Sequence, residues 1–185
     1  MDRITKSLVK DFILNQGIIS ESESSDFEKF SNFSIISLEY QKSFDIDFVT
    51  VGDGNDTALD GIAILANGVL IENTDEIDDL LEKNGFLEVE FIFIQSKTSS
   101  SFDSGEIGKF LYGVKDFFSE TPTLVRNTDI SNFAHLADYI MSKAPSFRAN
   151  PTLKLFYVTT GTWTSDQNLS AVLNNGKTEL ENLNL

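Results

Sequence analysis

Two short apolar runs, each bordered by polar residues at one end, constrain this chain most. In the first, Asp60-Gly61-Ile62-Ala63-Ile64-Leu65, a carboxylate stands at the mouth of a stretch that needs burial. The second, Phe91-Ile92-Phe93-Ile94, runs out into Gln95-Ser96-Lys97. Runs of this length, rich in β-branched and aromatic side chains, read as strands buried on both faces. Side chains alternate along a strand, so Gln95 and Lys97 share one face while Ser96 points away. An acid entering one buried strand and a Gln-x-Lys leaving the next can therefore meet at one edge of a sheet.

Around these runs the chain divides by period and by turn chemistry. Ile4, Leu8, Phe12 and Ile13 predict a helix over residues 2 to 16 with Gly17 as its stop. Ser20 to Ser25 reads as an exposed loop ending in a cap, before a helix from Asp26 with Phe27, Phe30, Phe33 and Ile36 on one side. Glu28 lies beside that stripe, where a first-turn acid favoured by the helix dipole and a site acid are equally compatible. Asp45 to Val51 reads as a strand and Gly52 to Asp56 as a turn; Asp53 and Asp56 lack the later Gly and Glu of a calcium loop. Asn67-Gly68 predicts a hairpin joining 60–65 to 69–71. An acidic surface helix over 73–83 follows, with Glu72 to Glu82 as a solvated face, and then the strand over 86–95. Helices capped by Ser104 (105–119) and over 129–142, a buried strand over 153–160, and a last helix over 166–183 interrupted at Gly176 complete the order. Strands separated by helices predict an α/β domain, a mixed central sheet flanked by helices on both faces, with 105–142 as the crossover.

Composition narrows the chemistry. At 185 residues and 41% hydrophobic, the chain suits one domain with a substantial core. It has no cysteine and one histidine, His135, which excludes thiolate sites and disfavours a His-ligated zinc. A metal here is therefore expected on oxygen, which favours magnesium or manganese. Acids outnumber bases 29 to 14, for a net charge of −15, so this chain alone offers no large nucleic-acid surface. There is no apolar leader or bilayer-length run, and a cytoplasmic location without membrane contact is the expectation.

An oxygen-ligand site for phosphodiester attack needs a carboxylate, a second oxygen such as a backbone carbonyl, and a lysine near the reacting group. Asp60, Gln95 and Lys97 carry those side chains, and Ser96 offers its carbonyl. Asp60 followed by Gln95-Ser96-Lys97 resembles the PD-(D/E)xK nuclease motif in its Asp…Gln-x-Lys form, as in Mrr-like restriction endonucleases. Phe27-Glu28 resembles the Phe-Glu pair those enzymes carry upstream. More closely, Asp60-Gly61-Ile62-Ala63-Ile64…Asn67-Gly68, Phe93-Ile94-Gln95-Ser96-Lys97-Thr98-Ser99 and Phe102-Asp103 together resemble the N-terminal part of the abortive infection phage resistance (AIPR) proteins, over roughly residues 25–160.

That resemblance implies a restriction endonuclease-like core at 25–160, preceded by a helix and loop at 1–24 and followed by a helical segment at 161–185. It implies a magnesium- or manganese-dependent nuclease in prokaryotic anti-phage defence. Asp60 and Gln95 would be metal ligands together with Ser96, Lys97 the catalytic lysine, and Glu28 the helix acid. Two departures stand out. Gln95 is neutral where the pattern usually has an acid, with Glu106 as a candidate migrated acid. The family also runs longer, so an N-terminal fragment is expected, with the basic surface for DNA or RNA supplied by a C-terminal region or a second copy. The alternative is a fold kept as a catalytically silent recognition or regulatory module, favoured by the neutral Gln95 and the acidic charge. Trp163 can stack on a base or pack at the core edge, and His135 reads as a packed or solvated helix residue.

Overall fold

The computed structural model describes the chain apart from Asp53, Asn55, Asp56, Ser165, Asn184 and Leu185. The acidic turn expected around Asp53 and Asp56 thus lies largely outside the described residues. Helix α1 (Arg3–Gln16) opens on Asp2, whose carboxylate accepts from the backbone N–H groups of Ile4 and Thr5, and it stops at Gly17 as expected. α2 (Glu23–Glu39) starts earlier than its apolar stripe suggests, because Ser22 inside the serine-rich stretch accepts from the Ser25 N–H and caps it.

The strand expected over 45–51 is not formed. Those residues make a single helical turn, α3 (Ile46–Val49), because the Asp45 carboxylate captures the Asp47 N–H at 2.9 Å. A short side-chain acceptor beside an orphan N–H outcompetes a brief run of alternation. Only the end of the stretch joins the sheet: Thr50 bridges Gly61, and the Val51 N–H donates to the Asp60 carbonyl at 3.0 Å.

Strand β1 (Gly61–Ala66) is buried at every position and turns through Asn67-Gly68 into the two-residue β2 (Val69–Leu70). α4 (Thr74–Asn84) runs from its Asn73 cap to Gly85 on the acidic stretch. β3 (Val89–Lys97), α5 (Ser104–Phe117), α6 (Thr128–Met141), β4 (Thr152–Thr159) and α7 (Gln167–Glu181) follow. The cap of α5 is Asp103 rather than Ser104; its Oδ1 accepts from the Glu106 N–H at 2.9 Å. α7 passes through Gly176 without a break, and a side chain at that position would collide with Leu111 of α5.

The sheet order is β2-β1-β3-β4, antiparallel except for the parallel β3–β4 pair that α5 and α6 link as a crossover. Alternation along the strands feeds two cores. Ile62, Ile64, Phe91 and Phe93 pack with Phe110, Val114 and Phe117 of α5, whereas Ala63, Leu65, Ile92 and Ile94 pack with Ile36 of α2 and Val49 of α3. The result is the expected mixed α/β architecture, a sheet flanked by helices on both faces. The strand expected to be buried over 153–160 is half-buried as β4, because it is an edge strand with β3 as its sheet neighbour. No helix among the described residues is long and apolar enough to cross a membrane.

Candidate functional site

Register builds the site. Gly61 pairs with Ile94, so the antiparallel ladder of β1 and β3 ends where Asp60 meets Gln95 and Ser96. The Asp60 N–H donates to the Ile94 carbonyl at 2.8 Å, which sets its carboxylate in line with the strand end. Oδ2 of that carboxylate accepts from the Ser96 backbone N–H at 2.7 Å and from the Ser96 hydroxyl at 3.0 Å. The Gln95 Nε2 donates to the same oxygen and, at 3.3 Å, to the Ser96 carbonyl. Ser96 and Gln95 approach from opposite faces of the sheet, so Asp60 closes its edge from both sides.

All three residues lie deep: Asp60 is 5% exposed, Ser96 3% and Gln95 0%. The Gln95 Oε1 is buried and has no hydrogen-bond partner among the described residues. A buried amide oxygen left unsatisfied costs about 1–3 kcal/mol, so a donor or a cation at that oxygen would be favoured. Asp60 and Gln95 thus offer a carboxylate and an amide oxygen, the hard oxygen types a magnesium-like ion takes. Among the described residues no group of three or more His, Cys, Asp or Glu side chains comes together as a metal cluster. The Ser96 carbonyl is already an acceptor of the Gln95 amide.

Lys97 emerges on the Gln95 face and is partly exposed, with Nζ 4.0 Å from Oε2 of Glu106 in the first turn of α5. Glu106 also binds the Lys109 ammonium at 2.6 Å and holds it above its ordinary pKa. The candidate migrated acid is therefore beside the candidate lysine. Glu28 lies on α2 and lines a polar pocket with Lys29, Asp47, Thr50 and Gly52. It is one turn before Asn32, a fully buried residue whose Nδ2 donates to the Asp60 carbonyl at 2.8 Å and to Thr50 Oγ1 at 3.2 Å. His135 is exposed on α6, away from these groups in the fold, beside Asn73 and Thr74.

Gly61 is what allows the Asn32 contact, since a Cβ at Gly61 would collide with the Asn32 side-chain amide. Gly61→Ala is expected to cost about 1–3 kcal/mol through this overpacking, measured by urea unfolding. An unchanged midpoint would show that Asn32 does not brace Asp60.

Sequence reasoning missed Asn32 and Tyr157. Tyr157 pairs with Gln95 across the parallel β3–β4 ladder, so their side chains share one face. Its hydroxyl is buried with no hydrogen-bond partner among the described residues. Burial pushes its pKa up to about 12, and the charges of Glu106, Asp103 and Asp60 add to the shift. Only the register of two strands far apart in sequence reveals Tyr157. Asn32 could have been found as the residue one helical turn beyond Glu28. No family model, curated protein or solved structure matches the chain.

Proposed function

We propose that this chain is a divalent-metal-dependent nuclease domain that hydrolyses phosphodiesters in prokaryotic anti-phage defence, in the manner its Asp…Gln-x-Lys pattern suggests. One observation carries the proposal: the Asp60 carboxylate gathers Gln95 and Ser96 at the end of the β1–β3 ladder, on the strand that ends at Lys97, and the buried Gln95 Oε1 there has no partner among the described residues. Asp60 and Gln95 would hold magnesium or manganese. A cation bound there acidifies water and offsets charge on the phosphate. The chain's own residues do the rest. Ser96 locks the Asp60 carboxylate in one orientation through two hydrogen bonds. Lys97 presents its side-chain nitrogen to the reacting phosphate, and Glu106, 4.0 Å away, pairs with it. The protein is proposed to act in the cytoplasm, with a further region or a second copy supplying the basic surface that a net charge of −15 does not.

A second reading is favoured by one specific feature. The Asp60 Oδ2 takes three donors, as a carboxylate with a structural task does. In that reading the fold is a catalytically silent recognition module. The deciding experiment incubates the protein with labelled single- and double-stranded DNA and RNA, with magnesium, with manganese and with chelator. Cleavage that needs the divalent ion is expected; no cleavage of any substrate with either ion overturns the nuclease proposal.

A further inference from the structure

A large groove opens beside the proposed reacting edge. It lies between β4, α5 and α7 and has a volume of about 660 Å³. Ligand sites span about 300–1,000 Å³, so this space suits a small organic group. Its floor is aliphatic, with Leu153 and Leu155 of β4, but the end nearest the site is aromatic. There Tyr157, Phe102 and Trp163 form a chain of rings, with centroids 6.0 Å apart for Phe102 and Tyr157 and 5.0 Å for Phe102 and Trp163. Trp163 remains 43% exposed, so its ring is open to contact. Asn150 and Asn174, whose side chains carry both donors and acceptors, also line the groove.

Two connections tie this aromatic end to the edge. Tyr157 stands in register with Gln95. Phe102 directly precedes Asp103, the cap of the helix whose first turn holds Glu106 against Lys97. A group seated among these rings is therefore a neighbour of whatever Lys97 faces.

Charge narrows the occupant. Nucleic-acid binding usually draws its affinity from Lys and Arg contacts to phosphates, and a chain of net charge −15 repels them. Stacking of bases on aromatic rings does not depend on charge and contributes about 1–3 kcal/mol per base. A base within a duplex is already stacked and paired; a single-stranded or extruded base can enter. We infer that the aromatic end of this groove is a nucleobase subsite, which takes one unstacked base of a single-stranded substrate beside the Asp60–Lys97 edge. This assignment rests on the nuclease function proposed above, and it makes the preferred substrate single-stranded.

Trp163 is the only tryptophan of the sequence, so its emission reports the groove without labelling. The intact protein, without divalent ion, is titrated with a short oligothymidylate and with an abasic oligodeoxyribose phosphate of the same length. The oligothymidylate is expected to quench Trp163 emission, with an affinity that does not fall as potassium chloride is raised; the abasic chain is expected to leave the emission unchanged. Phe102→Ala should weaken binding about tenfold, the ratio that losing ~1.4 kcal/mol of stacking gives. Equal quenching by both chains, quenching by neither, or an affinity that collapses with salt overturns the assignment. The two proposals fail separately: divalent-dependent cleavage without base-dependent quenching removes the subsite alone, and base-dependent quenching without any cleavage removes the nuclease alone.

Discussion

Lys97→Ala is expected to lower divalent-dependent cleavage by about a hundredfold to a thousandfold, the usual effect of removing one group aimed at charge that develops in the transition state. Stability should change by less than about 1 kcal/mol, because the partner contact is a partly exposed ion pair at 4.0 Å. This separation makes Lys97 the informative position. A chain that keeps its urea midpoint and loses cleavage places the ammonium in the chemistry. Undiminished cleavage by Lys97→Ala would remove the lysine from the mechanism. Lys97→Arg is expected to rescue poorly, since a planar guanidinium does not replace a compact ammonium at a fixed point.

Asp60→Ala should behave differently. It removes the acceptor of the Ser96 N–H, the Ser96 hydroxyl and the Gln95 amide at once, in a place where water barely reaches. Each buried donor left unpaired costs about 1–3 kcal/mol, so a loss of about 3 kcal/mol or more is expected in urea or thermal unfolding. Loss of cleavage in Asp60→Ala therefore says little by itself. Asp60→Asn keeps an oxygen for the Ser96 donors and removes the charge, so it should hold most of the stability and lose the function that needs a carboxylate. Wild-type stability in Asp60→Ala would show that these hydrogen bonds do not brace the sheet edge. The same pair of variants discriminates between the two functional readings: a structural acceptor is served by Asn, whereas a metal site that has Asp60 as its anionic ligand beside the neutral Gln95 is weakened when that charge is lost.

Single partner groups overrode the periodic pattern in a few particular places. Asp45 to Val51 has strand-like residues, but a single side-chain acceptor on Asp45 turned them into a helical turn, an event decided within two residues and invisible to alternation. Leu153 to Thr160 reads as buried because most of its residues are apolar. Its half-burial is a matter of position, since nothing in a strand's own residues says whether it lies at the centre of a sheet or at its edge. Gly176 reads as a helix breaker, yet it is where α7 approaches Leu111 of α5. In each case the deciding partner is a group that periodicity does not register.

Within the sequence alone lay the two apolar runs, their polar ends and the alternation that puts Gln95 and Lys97 on one face and Ser96 on the other. These are local properties, set by the two-residue period of a strand and by the cost of exposing Ile62, Ile64, Phe91 and Phe93. The bonding of Asp60 to Ser96, the brace from Asn32 through the space Gly61 leaves, and the register that sets Tyr157 beside Gln95 came only with the tertiary structure. The reason is physical. Pairing register and helix docking are settled by the summed burial of both sheet faces, a quantity that belongs to the assembled chain and to no single stretch of it.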